Sequence, residues 1–538
     1  MKGIGVSQGI AIGRAWVLRP KRGQPSGQLL QDMAAVEREI GIYRTAVSEA
    51  VTTLEAMMER AVKAEAEILG IQVELLLDPQ MEEEVIGMIR KDRMAARDAI
   101  LRVTEQLMQV FTNMKDEYMR ARAADIQDVG NRVVRVLDGE DVAVQMEEGE
   151  WIVIAEDLSP SETVGLDTER VCGFVTQAGG VTSHAAIVAR LRGLPAVAAC
   201  SGVLAVVAER DIIVLDGVTG EVLINPTDGE LQVYREKKKA FAEKLRVLQQ
   251  LKDLAAVTTD GVRIQLLANI ATAEDMEQAL EQGAEGVGLL RTELLFMDRD
   301  SLPSEEEQLE FYKRVLLRSG GLPVTIRTLD IGGDKPLPYL GLAEEANPFL
   351  GYRAIRICLD RIDIFMTQLR AILRASVFGK SRLMFPMIGS LEELRRAKAV
   401  LADAQRELRA AGVAFDEEIP VGIMIEVPSA ALTADLLAPE VDFFSIGTND
   451  LTQYVLAVDR MNVKIAALYD PYHPAVLRLV LEVIEQGLRQ GIPVGMCGEL
   501  AGDPRATELL LGMGLRQFSM SANSIPEVKE VILRSKAI

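Results

Sequence analysis

Val421-Gly422-Ile423-Met424-Ile425-Glu426 is a short apolar run that stops on a carboxylate, and Phe443-Phe444-Ser445-Ile446, followed by Gly447-Thr448-Asn449-Asp450, repeats the design. Such runs are too short for a buried helix and suit strands covered on both faces. Six more flank these two: Ile264 to Ala268, Gly286 to Leu289, Val324 to Thr328, Leu383 to Met387, Pro493 to Met496 and Gln517 to Met520. Amphipathic helical stretches separate them, so residues 257–538 are expected to form a (β/α)8 barrel, a fold of about 250 residues. Barrel enzymes place their chemistry at the C-terminal ends of the strands. Those ends carry Asn269, Arg291, Arg327 with Asp330, Met387, Glu426, Asn449 with Asp450, and Cys497.

The residue types at that face define a chemistry. Arg291 and Arg327, with Arg353, Arg356 and Arg460 further along, supply forked donors for phosphate and carboxylate. Glu426 and Asp450 are oxygen ligands suited to a Mg2+ that keeps waters and shares phosphate oxygens. Together they describe a site for a small phosphorylated carboxylate, and phosphoryl transfer relies on such positioning and charge stabilisation. Cys497 reads either as a small packed residue or as a proton donor.

Ahead of the barrel the pattern changes. Met33, Val36, Ile40, Tyr43, Val47, Ala50, Leu54 and Met57 form a heptad stripe, and Ile100, Val103, Leu107, Val110 and Met114 form a second. The stripes either pack on each other or leave a face for a partner. Short glycine-punctuated strands lie on both sides, at Ile4 to Gly13, Trp151 to Ala155 and Ile212 to Leu215. The expected organisation is a multidomain α/β protein: an α/β domain from 1–24 and 139–226, a helical bundle inserted at 25–138, a linker helix at 227–256, and the barrel.

Only two histidines occur, His184 and His473. In Gly179-Gly180-Val181-Thr182-Ser183-His184, a glycine turn leads to Thr182 or Ser183 as a helix cap, which puts His184 in the first turn. Free N–H groups and the positive dipole end there would hold a phosphate carried on the imidazole. His473, set between Tyr472 and Pro474, reads as structural. The four cysteines form no Cys-x-x-Cys pair, which argues against a zinc site or a disulfide framework. With 59 Lys and Arg against 80 Asp and Glu, the net charge is −21, so nucleic acid is an unsuitable partner. No apolar run approaches the length of a spanning helix, and the start lacks a signal-peptide pattern, so a cytoplasmic protein without membrane insertion is expected.

These residues resemble enzyme I of the bacterial sugar phosphotransferase system, the phosphoenolpyruvate-protein phosphotransferases. The match rests on Gly179 to Arg190, Gly286-Val287-Gly288-Leu289-Leu290-Arg291-Thr292-Glu293, Arg327 to Lys335, Asn347 to Arg353, and Asp442 to Tyr454, and it covers nearly the whole chain. The resemblance implies that His184 takes phosphate from phosphoenolpyruvate and passes it to a histidine of the carrier protein HPr, docked on the helical insert. It further implies that Arg291, Arg327, Asn449, Asp450 and Arg460 bind phosphoenolpyruvate, that Glu426 and Asp450 hold Mg2+, and that Cys497 protonates the enolate. Dimerisation through the barrel and a swing of the His184 domain are also implied. Gln177, where the family usually has an acidic residue, and Val181, often basic there, depart from the pattern beside His184. Gln72 stands where relatives often carry histidine, which bears on the choice of carrier. The alternatives are an inactive or regulatory paralogue that senses phosphoenolpyruvate or serves a non-sugar carrier, and an ATP-using relative. The latter needs a nucleotide-binding domain, of which the sequence shows no loop.

Overall fold

The computed structural model describes residues 1–18, 29–58, 63–112, 117–139, 148–158, 170–180, 183–297, 299–332, 337–341, 345–462 and 464–537. The chain divides into two compact units, Met1–Lys244 and Leu245–Ile538, with the division inside the helix Asp228–Leu251.

Among the described residues, the first unit contains a seven-stranded mixed sheet: β1 (Ile4–Ser7), β2 (Ile10–Leu18), β3 (Trp151–Ala155), β4 (Val171–Thr176), β5 (Ala196–Ala198), β6 (Ile212–Asp216) and β7 (Glu221–Ile224). The order is β1-β5-β4-β3-β2-β6-β7. β2, β3, β4 and β5 run parallel to their neighbours in that order, whereas β1, β6 and β7 join antiparallel. Both faces are covered, which is why Trp151-Ile152-Val153-Ile154-Ala155 is apolar throughout and fully buried. Gly3 N donates to Gly220 O at 2.8 Å, which ties the first residues to the turn before β7.

Between the adjacent parallel strands β2 and β3 the chain builds five helices among the described residues: α1 (Met33–Met58), α2 (Lys63–Leu76), α3 (Pro79–Lys91), α4 (Ala96–Thr112) and α5 (Glu117–Leu137). Val36, Ile40, Tyr43, Ala50 and Leu54 of the first stripe are buried against Ile100 and Val103 of the second in one core. Met33, at the start of α1, is 59% exposed and departs from the first stripe, and Val110 departs from the second. Val110 is 56% exposed, in the last turn of α4, where a helix end has few neighbours. Met114 lies outside the described residues.

The second unit is the expected barrel. β8 (Gln265–Ile270), β9 (Val287–Leu290), β10 (Val324–Arg327), β11 (Ser381–Phe385), β12 (Val421–Ile425), β13 (Phe443–Ile446), β14 (Val494–Met496) and β15 (Gln517–Met520) are all parallel and close on themselves. The registers Arg327↔Met384, Ile425↔Ile446, Ile446↔Met496 and Met520↔Ala268 bring the polar strand ends to one rim. Leu289, Met384, Met424, Phe443 and Cys497 fill the interior beneath that rim, the methionines adapting to the irregular space. Helix starts follow local chemistry. Ser304 accepts from Glu307 N at 3.2 Å while Glu307 accepts from Ser304 N at 2.8 Å, a reciprocal cap. His473 accepts from Ala475 N at 3.2 Å and caps the helix Pro474–Gln490, a structural role.

Candidate functional site

The segments that follow β9, β10 and β13 carry a linked set of charges. Arg327, buried at the end of β10, pairs through Nη2 with Glu293 and through Nη1 with Asp330 at 2.9 Å. Asp330 in turn accepts from Arg353 Nη2 at 3.0 Å, and the same nitrogen lies 3.4 Å from Asp450 Oδ2. Arg460 Nη2 stands 3.9 Å from the other oxygen, Asp450 Oδ1, which has no hydrogen-bond partner among the described residues. Arg353 Nη1 donates to Tyr454 OH at 3.1 Å. Positive and negative groups thus alternate from Glu293 to Arg460. Burial works against the charge on both Arg327 and Arg353, but the flanking carboxylates outweigh it and hold both guanidiniums charged.

Glu426 follows β12 and is 2% exposed, with Oε1 accepting from Met387 N at 2.7 Å. Met387 reaches that pose with φ +56°. Burial first, then the negative charges of Asp450 and Asp330, push the Glu426 carboxyl well above the ordinary carboxylate range, against Arg327 and Arg353. Cys497, after β14, is 5% exposed, and its backbone N donates to Ile446 O at 3.0 Å. Burial pushes its thiol up to about 11, although the Ser445 hydroxyl and the positive charges of Arg327 and Arg291 favour the thiolate.

Above these groups opens a cleft of about 900 Å³ whose lining includes Asn269, Arg291, Asn449, Tyr472, Cys497 and Arg505. Asn449 is held by Glu499: its Oδ1 accepts from Glu499 N at 2.8 Å and its Nδ2 donates to Oε1 at 3.3 Å. Asn269 donates to Cys497 O at 2.9 Å and accepts from Ser519 Oγ at 2.6 Å. The structure therefore brings Arg291, Asn449 and Cys497 to the cleft, while Arg327, Glu426, Asp450 and Arg460 are not among its lining residues. Glu293, Tyr454 and Glu499 are elements of the site to which sequence reasoning gave no role. Their signal was only proximity to Arg291, Asp450 and Cys497. Gly333, Asp334 and Lys335 of the Arg327 motif lie outside the described residues.

The second expected site lies in the first unit. Gly179 adopts φ +85°, and the turn brings Ser183 back so that its Oγ donates to Gly180 O at 2.9 Å and accepts from Ala186 N at 3.3 Å. Ser183 is the cap, and His184 opens the helix α6 (His184–Leu191). Val181 and Thr182 lie outside the described residues. Gln177 Oε1 accepts from Leu204 N at 3.4 Å. Gln72 is fully buried and donates to Asp128 Oδ2 at 2.8 Å, linking α2 to α5.

Comparison with known proteins agrees along the chain. Residues 2–122 match the family model of the PEP-utilising enzyme N-terminal region, 146–220 the PEP-utilising enzyme mobile domain, and 246–537 the PEP-utilising enzyme PEP-binding domain. The phosphoenolpyruvate-protein phosphotransferase of Staphylococcus carnosus is 45% identical over 537 residues, 99% of this chain and 93% of that protein. That of Listeria innocua is 45% identical over 540 residues, covering 99% and 94%. A solved solution structure of Enzyme I (nEIt) is 35% identical over 45% of this chain and 99% of its own, with a TM-score of 0.39.

Proposed function

The chain belongs to the phosphoenolpyruvate-protein phosphotransferases, and on that premise we propose the route by which its own residues move the phosphoryl group. It is a phosphotransferase-system enzyme that transfers the phosphoryl group of phosphoenolpyruvate to protein. In the proposed route an imidazole nitrogen of His184 attacks phosphorus, the bond to the enol oxygen breaks, and the enolate of pyruvate leaves. Cys497 then gives its thiol proton to the enolate methylene carbon and is reprotonated from solvent. The phosphoryl group passes from His184 to a histidine of HPr, with nitrogen–phosphorus bonds exchanged.

Binding falls to Arg291, Arg327, Asn449, Asp450 and Arg460. Arg291 lines the cleft and its guanidinium makes no hydrogen bond or ion pair among the described residues, so it is available to a phosphate or carboxylate there. A thiol held protonated by burial suits an acid, and the alternating charges keep the arginines positive without reorganisation. Glu426 and Asp450 fit a divalent cation, which we take to be Mg2+. Both are buried, the negative charge of Asp450 opposes ionisation of Glu426, and Asp450 Oδ1 has no hydrogen-bond partner among the described residues. With two carboxylates from the chain, the ion would take its other ligands from water and substrate. Bound there, Mg2+ would offset charge developing on phosphate and enolate oxygens.

The proposal extends to the chain's organisation: 1–24 and 139–226 as the phosphohistidine domain, 25–138 as the HPr-binding insert, 227–256 as linker, and 257–538 as the phosphoenolpyruvate-binding and dimerising barrel. Among the described residues no helix is long and apolar enough to cross a membrane. We place the enzyme in the cytoplasm. The meeting of Arg291, Asn449 and the buried Cys497 at one cleft carries this reading best. Intact-mass measurement after adding phosphoenolpyruvate and Mg2+ tests it. One acid-labile phosphoryl group mapping to His184, with pyruvate released in step, is expected, and labelling of any other residue would overturn the route.

A further inference from the structure

Behind Arg327 lies a chain of buried polar groups that makes no contact with the cleft. Past the last β10–β11 pair, Arg327↔Met384, and the bond from Thr328 N to Met384 O at 3.0 Å, the strand runs out of ladder partners. A buried amide left unpaired there would be costly. Gln368, on the helix Ile362–Ala375, takes over: its Oε1 accepts from Leu329 N at 2.9 Å. Its Nε2 donates to Thr292 Oγ1 at 3.3 Å and to Tyr312 OH at 3.2 Å. The Thr292 hydroxyl then donates to Arg327 O at 3.0 Å. Thr292, Tyr312 and Gln368 are all buried, so these bonds are shielded from competing water.

We propose that Thr292 and Gln368 are positioning residues for the anion site: two hydrogen-bonded arms clamp the backbone on both sides of Thr328 and thereby aim the Arg327 guanidinium. The inference rests on the reading that Arg327 binds phosphoenolpyruvate. Its basis is that consecutive residues grip opposite ends of the same arginine. Thr292 holds the Arg327 carbonyl and Glu293 pairs with the guanidinium. The Leu329 arm fixes the approach to Asp330, which pairs with Arg327 from the other side. Rotation of this segment would misdirect Arg327 and Asp330 together, and small misplacements of a binding group are expensive.

The test is calorimetric titration of phosphoenolpyruvate, with Mg2+ present, into the full chain carrying His184→Ala, so that turnover does not intervene. Thr292→Val, which keeps the shape and loses the hydroxyl, should raise Kd about tenfold, the scale of one mis-set hydrogen bond to a charged ligand. Thr292→Ser, which keeps the hydroxyl, should restore it. Gln368→Leu, which removes both the acceptor for Leu329 N and the donor to Thr292, should weaken binding in the same sense. Melting temperatures follow in parallel, and Thr292→Ala replaces the valine variant if that fails to fold. Unchanged Kd in Thr292→Val, or Thr292→Ser as impaired as Thr292→Val, overturns the inference. Phosphoprotein formation by the unsubstituted chain reports on the parent reading separately.

Discussion

Replacing Cys497 by alanine separates the chemistry of the barrel from its packing. The sulfur contacts a small interior cluster with Leu289, Met384, Met424 and Phe443, so its loss leaves a minor void and costs roughly 1 kcal/mol. If the thiol is the proton donor, pyruvate release should fall about 10²- to 10⁴-fold, the usual contribution of a positioned general acid. Cys497→Ser refills the space but presents a far weaker acid, and should recover stability without recovering rate. Burial, the largest influence, pushes the thiol to about 11. The donor thus stays protonated through neutrality, and the alkaline loss of activity that it causes should lie near pH 11. The folded state keeps this proton between pH 9 and 11 while the unfolded chain sheds it. The stability it contributes, roughly 2–3 kcal/mol, is present below pH 9 and is lost as pH rises through that interval. Rapid-quench measurement of pyruvate, paired with scanning calorimetry, reads both effects. Wild-type rates in Cys497→Ala would refute the assignment, and full activity in Cys497→Ser would refute the acid-strength reasoning.

Other perturbations address the remaining parts. His184→Ala should abolish phosphoprotein in intact-mass spectra while phosphoenolpyruvate binding, followed by calorimetry, persists. Ser183→Ala removes the side-chain cap of α6 and should destabilise the first unit by about 1 kcal/mol in thermal unfolding. At Gly179, φ +85° and a Ser183 Cβ only 3.1 Å from any added methyl should make Gly179→Ala cost about 1–2 kcal/mol by the same measurement. Chelation of divalent ions should stop phosphorylation of His184, and Glu426→Gln should raise the Mg2+ needed for half-maximal labelling at least about tenfold, because one of two charged ligands is gone.

The barrel was legible because each strand is buried on both faces, so its apolar run is unbroken and its polar end stands out. Arg291, Asn449 and Cys497 could be found that way and do meet at a cleft. The groups that brace the neighbouring Arg327 segment could not. Gln368 sits among Ile364, Phe365, Leu369 and Ile372, where a lone glutamine reads as the polar edge of an amphipathic helix, and only the tertiary fold turns it toward Leu329. Glu293 follows Arg291 by two residues, yet its partner is Arg327, a pairing set by strands β9 and β10 lying side by side. Gln72, noted in the sequence only as a departure from a common histidine, pairs with Asp128 in the bundle interior, a contact no periodicity announces. Sequence periodicity reports which face is apolar, but not which polar residue crosses it.

The insertion between β2 and β3 also dictates an order of assembly. β2 needs β3 and β6 as neighbours, and β1 needs β5, all of which are translated only after the whole helical insert. At about 5–20 residues per second, the stretch from Gly3 to its partner Gly220 takes roughly 10–40 s to emerge. The insert, whose most extensive contacts join the consecutive helices α4 with α5 and α1 with α2, can fold within a small fraction of that time. The first strands therefore wait, unpaired and partly apolar, beside an already finished bundle, and the interval in which the nascent chain is open to mispairing is set by the ribosome and not by the sheet.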